Sequence, residues 1–154
     1  MNGDPYVYPG TTVLKNKLGI RDQDELDGAE RALVAQRIAA EPPAGAFDMD
    51  HLRAIHRHLF ERVYEWAGEL REVEISKDGQ AFQFRQYLET GMADVHRRLS
   101  ASNYLRGLAA DAFAEKAGEI IGDVNFVHPF REGNGRTQLQ SVSSASHAST
   151  VAPT

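Results

Sequence analysis

An all-α fold, a helical bundle carrying one short β-hairpin, is predicted for this chain by three observations. Apolar residues recur at helical spacing in several separate stretches. Between two of them the period switches to two and the chain turns at Asp78-Gly79, a pair that favours a two-residue hairpin loop. The chain has 154 residues, 42 % hydrophobic and 25 % charged, the balance of one ordinary globular domain with its own core.

Taken in order, residues 1–22 carry Pro5, Pro9, Gly10 and Gly19 and read as an irregular arm packed on the domain. A helix is expected from about Asp24 to Ala40, with Leu26, Leu33, Val34 and Ile38 on its apolar side. Glu41-Pro-Pro-Ala-Gly ends it, because proline cannot continue a helix interior. Asp48 is placed to cap the next helix, whose stripe is Leu52, Ile55, Leu59, Val63 and Trp66 and whose end should be Gly68. Val73, Ile75 and Phe82 bracket the hairpin. A third helix, about Arg85 to Ser100, shows Leu88, Met92, Val95 and Leu99, and a fourth runs from about Ala109 or Asp111 to Phe126. After Gln138 the character changes. Residues 139–154 hold five serines, two threonines and one proline, with no acidic or basic side chain apart from His147. Such a segment buries too little apolar surface to order itself. The expected organisation is an arm over 1–22, a core over 23–138 and a disordered low-complexity tail over 139–154.

The chemistry concentrates in residues 128–136, His-Pro-Phe-Arg-Glu-Gly-Asn-Gly-Arg. Phe113, Ala117, Ile120, Val124 and Val127 lead into it at helical spacing, so the segment reads as helix, loop and new helix. The N–H groups after Glu132 then open a helix N-terminus, where anions bind. Gly133 and Gly135 let the backbone approach a phosphate closely. The whole reads as a phosphate cradle with His128 at its lip.

These nine residues resemble the motif of the Fic (filamentation induced by cAMP) family, His-x-Phe-x-(Asp/Glu)-Gly-Asn-Gly-Arg-x-x-Arg, and match it through Arg136. Upstream, Asp4-Pro-Tyr-Val-Tyr-Pro-Gly-Thr, Leu14-Lys-Asn-Lys-Leu-Gly-Ile, His56-Arg-His-Leu-Phe and Tyr64-Glu-Trp-Ala-Gly-Glu-Leu-Arg are similar to bacterial Fic toxins. The resemblance spans residues 4–138 and implies a Fic-like bundle that moves AMP from MgATP to a protein hydroxyl. It implies His128 as general base, Glu132 as the Mg²⁺ ligand, and Gly133, Asn134, Gly135 and Arg136 as the nucleotide site, with the Asn134 amide as a phosphate donor. It also implies that Ile75, Ser76, Lys77, Asp78, Gly79, Gln80, Ala81 and Phe82 form a flap that adds a target segment as an extra strand. Glycine at 135 favours AMP transfer, since the branch that phosphorylates carries lysine there. Plainer readings stand beside these. His128 fits a helix cap, Glu132 a carboxylate favoured at a helix start, Gly-Asn-Gly a turn, Arg136 a surface arginine, and the hairpin an ordinary loop. Phe130 reads as a buried anchor; His51, His56, His58 and His96 have no matching role, and His51 and His58, with no third ligand, read as surface or structural residues.

One position departs from the pattern: Leu139 stands where the motif has its last arginine. In the family that arginine holds the γ-phosphate and pairs with an inhibitory glutamate carried in the pattern (Ser/Thr)-x-x-x-Glu-(Gly/Asn). The pattern is absent from this sequence, so the chain resembles toxins inhibited by a separate small antitoxin. Activity is expected to be weak or lost, and the C-terminal helices of a Fic core are expected to be missing or replaced. The alternative is an inactive domain that binds nucleotide or an antitoxin helix. The resemblance suggests targets such as type II topoisomerase subunits. A net charge of −5 argues against a general nucleic-acid surface. The absence of cysteine excludes disulfides and thiolate metal sites and fits a cytoplasmic location, and no apolar run reaches membrane-spanning length.

Overall fold

The computed structural model describes residues 3–150, with side chains through 143. The start of the expected arm at Met1 and Asn2, and the end of the expected tail at 151–154, lie outside the described residues. The helices are α1 (Gln23–Ala39), α2 (Met49–Phe60), α3 (Leu88–Ala101), α4 (Ala110–Val127) and α5 (Asn134–Thr150). A hairpin of β1 (Ser76–Lys77) and β2 (Gln80–Ala81) interrupts them, and short 3₁₀ turns occupy Arg85–Tyr87 and Asn103–Leu105. The all-α expectation holds.

Two rows of side chains explain why α2 is central. His51, Ile55 and Leu59 recur every four residues, as do Leu52, His56 and Phe60, and all six are buried. Neighbouring rows four apart give a helix a wide buried face. Ile55, Leu59 and Phe60 join a core with Leu26 and Val34 of α1 and with Val13, Leu14, Val63 and Tyr64. Leu52 faces a second core with Leu88, Met92 and Val95 of α3, Val124 and Val127 of α4, and Phe130. Contacts of α2 with α1, α3 and α5 follow. Asp48 caps α2 as expected, its carboxylate accepting the His51 N–H at 2.9 Å.

The second helix is shorter than the apolar stripe suggested. It ends at Phe60, whose carbonyl accepts from both Val63 and Tyr64 N–H at 2.9 Å, so the chain tightens into turns. The Val63 carbonyl is taken by Lys17 N–H of the arm at 2.7 Å, so a long-range partner replaces a helical one. Gly68, at φ +81°, is where the chain reverses. On α4 the apolar stripe is also only partly covered: Val124 and Val127 are buried, while Phe113, Ala117 and Ile120 line an apolar cavity shared with α3 and α5.

The hairpin turns where expected. Ser76 faces Ala81 and Lys77 faces Gln80, with Asp78 and Gly79 both at positive φ. The tail differs from expectation. Helix α5 continues the motif and runs through Leu139 to Thr150, so residues 139–150 are helical rather than disordered. Its first turns are anchored: Thr137 and Gln138 are buried, and Gln138, Ser141 and Val142 line the α3–α4 cavity. A helix already nucleated by buried turns gains one backbone hydrogen bond for each further residue fixed, which composition alone does not register. Among the described residues no helix follows α5. No described helix is long and apolar enough to cross a membrane.

Candidate active site

His128 is the residue at which α4 stops. It caps the helix in the left-handed region, φ 48° and ψ 63°, a conformation uncommon outside glycine. The plainer reading of His128 as a helix cap matches its backbone geometry. Its Nδ1 lies 3.0 Å from the Asn125 carbonyl, an acceptor, so Nδ1 carries the proton and Nε2 keeps its lone pair. The Phe82 ring of the flap stacks on the imidazole, centroids 3.8 Å apart and planes 10° apart. Partial burial, and the Arg71 and Lys77 charges, push the His128 pKa below the ordinary histidine value, opposed by the Asn125 carbonyl and Glu132. At neutral pH it is an uncharged imidazole with a free Nε2.

The loop after it is shaped from inside. Phe130 is fully buried, and His56 stacks on it at 3.9 Å. His56 Nδ1 accepts the Gly68 N–H at 2.8 Å, and its Nε2–H donates to the Glu132 carbonyl at 2.8 Å. These partners need the neutral ring, and burial pushes the His56 pKa down to about 4. Asn134 is buried too. Its Oδ1 accepts from Phe130 N–H at 2.9 Å and its Nδ2 donates to the Phe130 carbonyl at 2.7 Å. Both ends of the Asn134 amide thus close the loop, with one Nδ2 donor engaged by Phe130.

The backbone that follows is shaped for close approach. Gly133 carries φ +83°, and a Cβ there would stand 2.5 Å from the Phe60 ring, so glycine is required. Its carbonyl accepts from Thr137 N–H at 3.1 Å and Thr137 Oγ1 at 2.8 Å, which starts α5. The first-turn N–H groups of Asn134, Gly135 and Arg136 then have no acceptor within the helix. Gly135 is exposed, and a Cβ there would meet nothing within 4 Å. Arg136 lies over the Phe60 ring, 4.8 Å from its centroid, and its guanidinium is paired with Glu30 of α1. Glu30 also accepts the Tyr64 hydroxyl, which helps push the Tyr64 pKa up.

Glu132 is exposed, and its carboxylate accepts Gly133 N–H at 3.0 Å. No group of three or more His, Cys, Asp or Glu able to hold a metal occurs among the described residues. A single carboxylate beside an anion nest suits Mg²⁺, which keeps waters and shares itself with phosphates rather than occupying an all-protein cage.

Phe82 thus stacks on His128, and Glu132, Gly133, Gly135 and Arg136 follow on the loop and first turn of α5. Ser76 to Ala81 form an exposed hairpin. His51 and His56 are buried structural residues rather than surface ones; His51 accepts Phe47 N–H at 3.0 Å. Sequence reasoning missed Glu30 and the roles of His56 and Arg71. Arg131, at a variable position of the motif, pairs with Asp4 and straps the arm to the motif loop.

A neutral imidazole, an open helix N-terminus and an adjacent hairpin suit a site that binds an anion and moves a proton beside it. Residues 46–143 match the Fic/DOC family. The chain is 43 % identical over 137 residues to a probable protein adenylyltransferase, y4lH, of Sinorhizobium fredii, covering 88 % of this chain and 71 % of the relative. It is 42 % identical over 139 residues to the protein adenylyltransferase VbhT of Bartonella schoenbuchensis, of whose length it spans 29 %. The fold superposes on BepC of Bartonella tribocorum, solved with bound AMPPNP, at TM-score 0.85 and 30 % identity, covering 94 % of this chain and 77 % of that one. The chain belongs to the Fic/DOC family, and its site is of the protein adenylyltransferase type.

Proposed function

We propose that this chain transfers AMP from MgATP to a hydroxyl of a target protein. The observation that supports the reading is the His128 tautomer: Nδ1–H donates to the Asn125 carbonyl, which leaves Nε2 as an acceptor beside the nest. The target oxygen forms a bond to the α-phosphorus as the bond from that phosphorus to the α–β bridging oxygen breaks. Pyrophosphate leaves, and the hydroxyl proton passes to Nε2 of His128. First-turn N–H groups and Arg136 hold the phosphates. Glu132 would hold Mg²⁺, which supplies charge neutralisation to the phosphates when bound. The hairpin Ile75–Phe82 receives the target as an added strand, a role its exposed edge suits. The test is label transfer from α-³²P-ATP into bacterial lysate. His128→Ala should abolish it while a MgATP thermal shift persists; persistence of label would refute the base.

Leu139 supports a reading of weakened transfer. It is 70 % exposed on α5 and offers no donor to a γ-phosphate. Misplacement of a reacting phosphorus by about 1 Å costs on the order of 10²-fold. Leu139→Arg should raise the label incorporated. A second reading, nucleotide binding without chemistry, is favoured by the pairing of Arg136 with Glu30, which occupies part of its guanidinium. A MgATP shift without label from either form would select it. The finer reading is a bacterial toxin acting in the cytoplasm on type II topoisomerase subunits. A separate antitoxin would supply the inhibitory glutamate helix that this sequence lacks.

A further inference from the structure

Arg71 lies outside the motif, between the turns after α2 and the hairpin, and its side chain is completely buried. All of its guanidinium N–H groups find acceptors. Nε donates to the His128 carbonyl at 2.7 Å. Nη1 donates to the Val73 carbonyl at 2.8 Å and to the Glu74 carboxylate at 3.4 Å. Nη2 donates to the Gln83 carbonyl and, at 3.3 Å, to that of Val127. The Arg71 backbone N–H donates to the Pro129 carbonyl at 2.9 Å. One residue thus holds three successive carbonyls of the His128 turn and one carbonyl at each end of the hairpin.

A buried cation is an unusual choice for so internal a position. The carboxylate it pairs with, Glu74, is 55 % exposed, so backbone carbonyls more than an ion pair compensate its desolvation. An apolar side chain of similar size would leave those carbonyls buried without donors. The turn they belong to is itself unfavourable, because His128 holds a left-handed conformation that only surrounding contacts can maintain. Hairpin and turn also meet at the Phe82–His128 stack and at the Gln83 N–H, which donates to the Phe126 carbonyl at 3.0 Å.

We propose that Arg71 is a positioning residue that locks the His128 turn and the base of the hairpin into one unit, keeping the imidazole in register with the edge that receives the target. The proposal rests on the reading of His128 as base and of the hairpin as docking flap. The Arg71 charge also works with burial to keep the imidazole neutral.

The test compares wild type, Arg71→Lys and Arg71→Met by native-state hydrogen exchange, by titration of the His128 ring protons, and by AMP transfer in the Leu139→Arg background. A lysine offers three donors on a compact head and cannot span these acceptors. In Arg71→Lys the Phe82 and Gln83 amides should exchange at least about tenfold faster while α1 amides keep their protection. In Arg71→Met the His128 midpoint should move up. In both, kcat should fall about tenfold or more with KM for MgATP within about twofold, because the phosphates are held elsewhere. Unchanged hairpin exchange would overturn the proposal. So would equal loss of protection in α1 and the hairpin, which marks a merely structural residue. If Leu139→Arg transfers no label, the functional reading fails on its own, and exchange and ring titration still decide the role of Arg71.

Discussion

At the scale of single residues, two histidines with opposite duties set the pH behaviour. His128 has a lowered pKa, and in its proposed role as base it would act only when neutral. Transfer should fall as pH drops, with a midpoint below the ordinary histidine value of about 6.5. A kcat/KM profile checks this, and a midpoint above that value would contradict the desolvated, Arg71-flanked environment. His56 acts on stability instead. Its folded pKa of about 4 lies below the unfolded value of about 6.5, so the unfolded chain binds the extra proton between them, and stability is complete above the upper value. As pH falls through this window about 3 kcal/mol should be lost, read by urea unfolding at pH 7 and pH 4. In His56→Gln that component should disappear, leaving a shallower slope with pH.

At the scale of elements, the start of α5 makes its two glycines unequal. Gly133→Ala places a Cβ 2.5 Å from Phe60 at φ +83° and should cost on the order of 1–3 kcal/mol, seen as a lowered midpoint in denaturant. Gly135→Ala meets open space in a helical first turn and should leave stability unchanged or slightly raised, while weakening the MgATP thermal shift by crowding the phosphate approach. Equal effects of the two substitutions on stability would contradict the cradle described here. The hairpin is legible for a local reason: Asp78-Gly79 supplies both positive φ values itself. The end of α2 is not, because a carbonyl three residues past Phe60 bonds to Lys17 of the arm, and no periodicity within α2 encodes that partner.

At the scale of the whole molecule, the site joins a contiguous motif to supports drawn from everywhere else. The motif is legible because histidine, carboxylate, glycines and arginine are adjacent in sequence, and their order alone identifies the family. Its supports are not. His56 reaches Glu132 across 76 residues and Arg71 reaches His128 across 57, and Glu30 meets Arg136 only once α1 and α5 are folded. Asn134 shows the same limit: the folded loop turns its amide onto Phe130, a contact that its place in the motif does not announce. Order within α5 beyond Gln138 was hidden because composition does not report that Ser141 and Val142 face a cavity. The central claim is that this constellation moves AMP through His128. It is tested most directly by incubating the chain and its His128→Ala variant with lysate and either α- or γ-³²P-ATP. The account predicts weak protein labelling from the α-labelled nucleotide alone, abolished by His128→Ala. Labelling from the γ-labelled nucleotide, or α-label that survives His128→Ala, would contradict it.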